Sequence, residues 1–278
     1  MKSWKFYCII CLVAIFIIVN GCKPTNKAEK GPDLPSQESM IMNFDFANSQ
    51  KSAYKADTTL PYHTRAVLAV QYWSNVAGDL TNVPAAAYKA ALSQQPYRID
   101  SIWYWDYELV VGANNYLAHL KGQIKDDSVQ WKMYISKVDA ASLNNFLWFE
   151  GKSYVGRTGG WWIIYNPMSV NGIIVSEAGL RVDWKINSDK DKWLQYTYVA
   201  DKVWGTSSYI DNTNKGGYIR YGFQEDPKYN AFYQIYSNTD FDLWEILWNT
   251  SNSTGQINLN SSIMGCWDAN FADKNSCD

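Results

Sequence analysis

From Tyr97 onward, apolar residues fall at every second position. Val129, Trp131, Met133 and Ile135 alternate with Gln130, Lys132, Tyr134 and Ser136, and Leu180, Val182, Trp184 and Ile186 alternate with Arg181, Asp183 and Lys185. A period of two sends successive side chains to opposite faces of a pleated strand, giving one dry face and one wet one. Similar runs occupy 102–111, 116–124, 145–154, 160–165, 192–199, 217–224, 231–236 and 241–248. The links between them are turn formers, among them Lys125-Asp126-Asp127-Ser128, Asn187-Ser188-Asp189-Lys190 and Ser237-Asn238-Thr239-Asp240. Short polar links with no helix between most strands predict antiparallel neighbours.

Earlier in the chain the period lengthens. Ala66, Val70, Trp73 and Ala77 share one helical face after Pro61, with Thr58 and Thr59 as N-cap residues, and Gly78 reads as the stop. A shorter Ala-rich helix follows over 84–92. Residues 40–46 read as an early strand or, equally, as a loosely packed arm. The predicted fold is mainly β: an antiparallel meander over 100–250 forming a barrel or half-barrel, lipocalin-like or lipoprotein-carrier-like, with two helices at 61–92 packed on it. A two-layer sandwich is the alternative. Strands apolar on both faces favour the barrel. Trp103, Trp105, Tyr107 and Leu109 oppose Ile102, Tyr104 and Val110, and Trp244, Ile246 and Trp248 oppose Phe241, Leu243 and Leu247. Such strands fit an interior cavity with helices or a second layer outside.

The N-terminus is apolar without alternation. Lys2 and Lys5 precede the fourteen-residue run from Phe6 to Val19, which closes on Asn20-Gly21-Cys22. A transmembrane helix needs about 20 apolar residues, so the run reads as a signal peptide over 1–21. Val19-Asn20-Gly21-Cys22 resembles the bacterial lipobox, which implies removal of the segment, lipidation of Cys22 and attachment to a membrane. An ordinary secretory signal, leaving Cys22 a free thiol, is the competing reading. Residues 22–40 contain Pro24, Gly31, Pro32 and Pro35 among polar residues and are expected to be a flexible tether, followed by a single domain over 41–278. The chain also resembles, in general texture, envelope lipoproteins of Bacteroidota that belong to no named domain family. That resemblance implies an outer-membrane lipoprotein, on the periplasmic face or the cell surface.

Charge narrows the partners. Loss of Lys2 and Lys5 leaves 23 basic residues against 27 acidic, a net charge of −4 without the signal. Nothing here forms the basic surface that nucleic acid requires. The aromatic content, 14 Trp and 20 Tyr, suits pleated sheets and lipid- or sugar-facing surfaces alike.

Catalytic motifs are sparse. His63 and His119 are the two histidines, there is no Gly-x-Ser-x-Gly elbow, and no His-x-x-x-His pair exists for zinc. Asp106, Glu108, Glu150 and Glu245 stand among aromatic residues as a glycosidase's acid and base would, but carboxylates on wet strand faces are ordinary. The glycine pairs at 159–160 and 216–217 read as hairpin glycines. The oxygen-rich 268–275 lacks the Gly and distal Glu of a calcium loop. Without the signal's Cys8 and Cys11, and with Cys22 committed to lipid, Cys266 and Cys277 remain as a disulfide pair expected in an oxidising envelope. Metal and cofactor are expected to be absent. The reading is a non-enzymatic binding module whose aromatic cavity or groove takes an apolar or amphipathic ligand. Its candidate contacts are Trp103, Trp105, Tyr107, Trp131 and Trp148, with Trp161, Trp162, Trp184, Trp244 and Trp248. An aromatic platform for a glycan or partner protein is the alternative, and a glycosidase-like enzyme the weaker one.

Overall fold

The computed structural model describes residues 30–48, 60–140, 143–170, 173–204 and 209–277, and the unit carrying the fold begins at Gly31. Cys22, the signal and the first part of the expected tether lie outside the described residues, as do Thr58 and Thr59. After a short α1 (Asp45–Asn48) and a long α2 (Tyr62–Ala91) come the strands. They are β1 (Tyr97–Ile99), β2 (Ile102–Val111), β3 (Asn114–Lys125), β4 (Ser128–Lys137), β5 (Phe146–Tyr154), β6 (Gly159–Val170), β7 (Ile173–Ser188) and β8 (Asp191–Tyr198). The chain continues through β9 (Lys202–Trp204), β10 (Tyr209–Asp211), β11 (Tyr218–Phe223), β12 (Ala231–Ser237), β13 (Asp242–Trp248), β14 (Gly255–Leu259) and β15 (Ser262–Trp267).

Thirteen strands form one antiparallel sheet in the order β1 to β8, then β11 to β15, while β9 and β10 pair separately. The fold is therefore the mainly β meander that the alternating pattern predicts. It does not close into a complete barrel: β1 and β15 remain edges, and the sheet wraps as a half-barrel on α2, which touches β2, β6, β12, β14 and β15. Both edges are protected from pairing with another chain. β1 has three residues, and β15 is covered by the C-terminal tail through the Trp267 to Asp273 bridge and the Lys274 amide on the Cys266 carbonyl.

Two expectations need correction. The helix does not stop at Gly78; α2 is a single helix of 30 residues with Pro84 inside it. Its buried residues Ala66, Val70, Trp73, Ala77, Thr81, Pro84, Tyr88 and Ala91 keep one continuous stripe. Burying that whole face outweighs the cost of Gly78 and of the amide proton that Pro84 lacks. Residues 31–40, expected as tether, are also packed. Leu34 lies against the core, Pro35, Ser39 and Met40 are buried, and Gln37–Ser39 makes one 3-10 turn.

The arm over 31–46 joins no strand, so its backbone carbonyls need other partners. Core aromatic side chains supply them. The Tyr88 hydroxyl donates to Pro35 O at 2.7 Å, the Trp162 indole to Ser39 O at 3.0 Å, and the Tyr196 hydroxyl to Met40 O at 2.7 Å while accepting from the Met42 amide at 2.9 Å. The Tyr233 hydroxyl donates to Asn43 O. The same rings thus fill the core with their bodies and hold the arm with their tips.

Candidate functional site

The arm roofs one end of β7, β8 and β11 and leaves a groove there. Glu38, Ile41 and Asn43 form one wall; Trp184, Lys185 and Ile186 of β7, Lys192, Trp193 and Leu194 of β8, and Tyr221, Gly222 and Phe223 of β11 form the rest. It holds about 650 Å³ of space, counting the part open to solvent. The antiparallel register explains the lining. Trp184 pairs with Leu194 and Leu194 with Tyr221, so the three side chains stand abreast on the helix-facing side of the sheet.

Apolar surface dominates, with charge at the edge. Lys192 Nζ lies 3.0 Å from Glu38 Oε2 and 5.5 Å from the centre of the Phe223 ring. Lys185, paired with Trp193, is exposed on the opposite face of the sheet. Burial first, and then the charges of Asp45 and Glu38, push the Tyr221 hydroxyl up to about 12, so it stays protonated at neutral pH. Trp184 is buried, yet its indole N–H has no hydrogen-bond partner among the described residues. Trp131, Trp162 and Trp267 each find an acceptor, so the Trp184 donor stands apart.

The ten aromatic residues chosen from sequence do not form one site. Trp103, Trp105, Trp131, Trp148, Trp162, Trp184 and Trp248 are buried in the core that α2 and the arm cover. Of these only Trp184 also lines the groove. Tyr107 is half-buried and donates to Ala87 O at 2.6 Å, tying β2 to the helix. Trp161 lies on the opposite, outer face of the sheet with the Arg181 guanidinium 5.3 Å above its ring. Trp244 is half-buried near the other end of the sheet. The groove's other components, Glu38, Ile41 and Asn43 of the arm with Lys192, Tyr221 and Phe223, carry no local signal. They meet through the packing of the arm on strands more than 140 residues later.

Of the four carboxylates singled out from sequence, Asp106, Glu150 and Glu245 are individually engaged. Asp106 accepts from the Tyr97 hydroxyl and lies 2.9 Å from His119 Nδ1. That bond raises the Tyr97 pKa. Glu150 accepts from the Tyr165 hydroxyl at 2.7 Å and lies 3.2 Å from Lys132 Nζ, and Glu245 accepts from Gln234 at 3.2 Å. Glu108 is exposed. Asp183 receives both nitrogens of Arg181 at 2.7 Å each, while Arg220 stacks 4.7 Å over Trp193 and donates to Gln195 at 2.9 Å. Aromatic rings on the outer face are thus covered by cationic side chains, where the sequence pattern pointed to a second layer.

At the C-terminus Cys266 and Cys277 form a disulfide with Cα atoms 5.5 Å apart. The oxygen-rich segment beside it has structural uses. Asp268 accepts from the Asn270 and Ala272 amides at 2.8 and 3.0 Å, and Asp273 accepts from the Tyr62 amide at 2.9 Å. Among the described residues no cluster of three or more His, Cys, Asp or Glu side chains is placed to hold a metal. Comparison with protein-family models, curated proteins and solved structures finds no match for this chain.

Proposed function

We propose that the protein is an outer-membrane lipoprotein, acylated on Cys22, that binds an amphipathic ligand in the groove between its arm and β7, β8 and β11 without transforming it. The observation that carries this reading is the groove's composition. Trp184, Leu194, Tyr221 and Phe223 offer an apolar bed, and Lys192 stands at the edge, paired with Glu38 of the arm. Lys192, the cation on this face of the sheet, favours a negatively charged head, with the apolar tail against the rings. The mixed character of the bed separates this ligand class from nucleic acid, which would require a broad basic surface.

Two measurements test the reading. Intact mass of protein extracted from membranes should exceed that of the chain beginning at Cys22 by two or three acyl chains; an unmodified chain removes the anchor. For the groove, the chain from Cys22 onward, made without its signal and therefore unacylated, is titrated with dodecanoate and with dodecanol. Dodecanoate should bind with a Kd of about 10 μM, and Lys192→Met should weaken it about tenfold while leaving dodecanol little changed. Absence of dodecanoate binding, or equal losses for both probes, overturns the proposed head position.

A further inference from the structure

A second concavity lies at the opposite end of β8 and β11 from the groove, and its chemistry is different. Trp73 of α2, Tyr198 at the end of β8 and Trp244 of β13 contribute rings, while Asn214, Asn238 and Ser237 contribute uncharged polar groups. Its space is about 610 Å³ including the open mouth. Among the described residues no charged side chain lines it. We propose that this is a binding site for a neutral saccharide, independent of the amphiphile groove.

The lining meets both halves of a sugar's chemistry. A pyranose has C–H faces that pack on aromatic rings and an equatorial rim of hydroxyls, each both donor and acceptor. Trp73 and Tyr198 have ring centroids 5.4 Å apart at 45°, so their planes form an angled wall rather than a filled stack. The amides are the groups for the hydroxyl rim, since a primary amide presents a donor and an acceptor side by side.

Their present bonding leaves that capacity open. Asn214 Oδ1 accepts from Thr239 Oγ1 at 3.0 Å, while its Nδ2 has no partner among the described residues. The Asn238 side chain and the Trp244 indole N–H, both half-buried, likewise have no partner among them. Three polar groups on one small aromatic concavity can be satisfied by hydroxyls without desolvating any charge. An anionic amphiphile finds no cation here, and an all-apolar ligand would leave these groups unpaired. The backbone supports the same arrangement: Gly216 has φ +89°, and the next residue, Gly217, fits closely against Asn214 O and Tyr236 O. That turn sets Asn214 beside the β12–β13 hairpin carrying Asn238.

The test is calorimetric titration of the unacylated chain from Cys22 onward with maltotriose, cellotriose and N,N′,N″-triacetylchitotriose, which differ in linkage and acetamido content. At least one should bind with a Kd between about 10 μM and 1 mM. Asn238→Ala, a change at a half-exposed turn, and Trp244→Phe should each weaken it about tenfold, and saturating dodecanoate should leave the titration unchanged. Circular dichroism of both variants checks that they remain folded. The proposal is overturned if none of the three sugars binds, if neither substitution alters binding, or if dodecanoate competes. Failure of dodecanoate itself to bind would count against the groove alone.

Discussion

His63 is the residue whose surroundings conflict most with its chemistry. It is 1% exposed, stacks on Phe271 at 4.1 Å and meets the rings of Phe46 and Trp267 at 5.4 and 5.3 Å. Neither ring nitrogen has a partner among the described residues. Burial lowers its pKa to about 4 from an ordinary value of 6.5, so the folded chain holds the neutral form. The unfolded chain takes up the proton first as pH falls. The stability contributed by the neutral ring is therefore complete above pH 6.5 and is lost as pH falls towards 4, by at most about 3 kcal/mol. Urea unfolding at several pH values should show this loss, and His63→Leu should make the decline between pH 6.5 and 4 shallower by about 2 kcal/mol. An unchanged slope would show that the ring is solvated. A lone histidine on a helix was legible in the sequence, but its aromatic enclosure was not, since Phe46, Trp267 and Phe271 arrive from both ends of the chain.

At the scale of the element, α2 depends on a segment more than 200 residues away. Pro61 provides no side-chain cap, and the Tyr62 amide is instead bonded by Asp273, whose carboxylate also complements the positive end of the helix. Just alongside, Gly265 of β15 lies against the Tyr62 ring so closely that a Cβ would overlap it at 2.1 Å from the nearest atom. The Cys266–Cys277 disulfide closes the loop that carries Asp273. Asp273→Ala should lower unfolding stability by about 1 kcal/mol, and reduction of the disulfide by about 2 to 3 kcal/mol. Because both changes act on one tail, their combined effect should fall short of the sum. Full additivity in denaturant titrations would mean that the bridge and the cap act independently. The helical face from Ala66 to Ala77 was readable in the sequence, but its length was not: Gly78 reads as a stop and Pro84 as the start of a second helix, where the structure has one helix to Ala91. Treating Gly78 and Pro84 as breaks gave local propensity more weight than a continuous buried face.

Across the whole molecule, the arm and the open sheet determine one another. The sheet is too long to leave its concave side bare, and α2 covers only part of that side; the arm completes the cover and forms the groove in doing so. Tyr196 is the tie at its centre, bonded to both Met40 and Met42, with burial pushing its hydroxyl above the ordinary tyrosine range. Tyr196→Phe leaves a buried carbonyl and amide unpaired at a cost of about 1 to 3 kcal/mol. Hydrogen exchange at Met42 should accelerate, and dodecanoate binding should weaken with it because one wall of the groove loosens. Exchange at Met42 unchanged from the parent would mean that the arm is held by its apolar contacts alone.

The period-two runs and polar turns determined the antiparallel meander, because alternation and short links are local properties that admit few other arrangements. Cys266 and Cys277, the cysteines left once the signal and the lipidation site are set aside, are the pair that the structure joins. Tertiary structure decided that the sheet stays open, that residues 31–40 pack, and that most of the tryptophans are core. It also brought Glu38 and Ile41 to Tyr221 and Phe223 as one groove. These outcomes depend on which apolar face covers which, and on carbonyls finding donors 50 to 190 residues away in the chain, from Tyr88 on Pro35 to Tyr233 on Asn43. Pairings at that distance leave no period in the sequence to read.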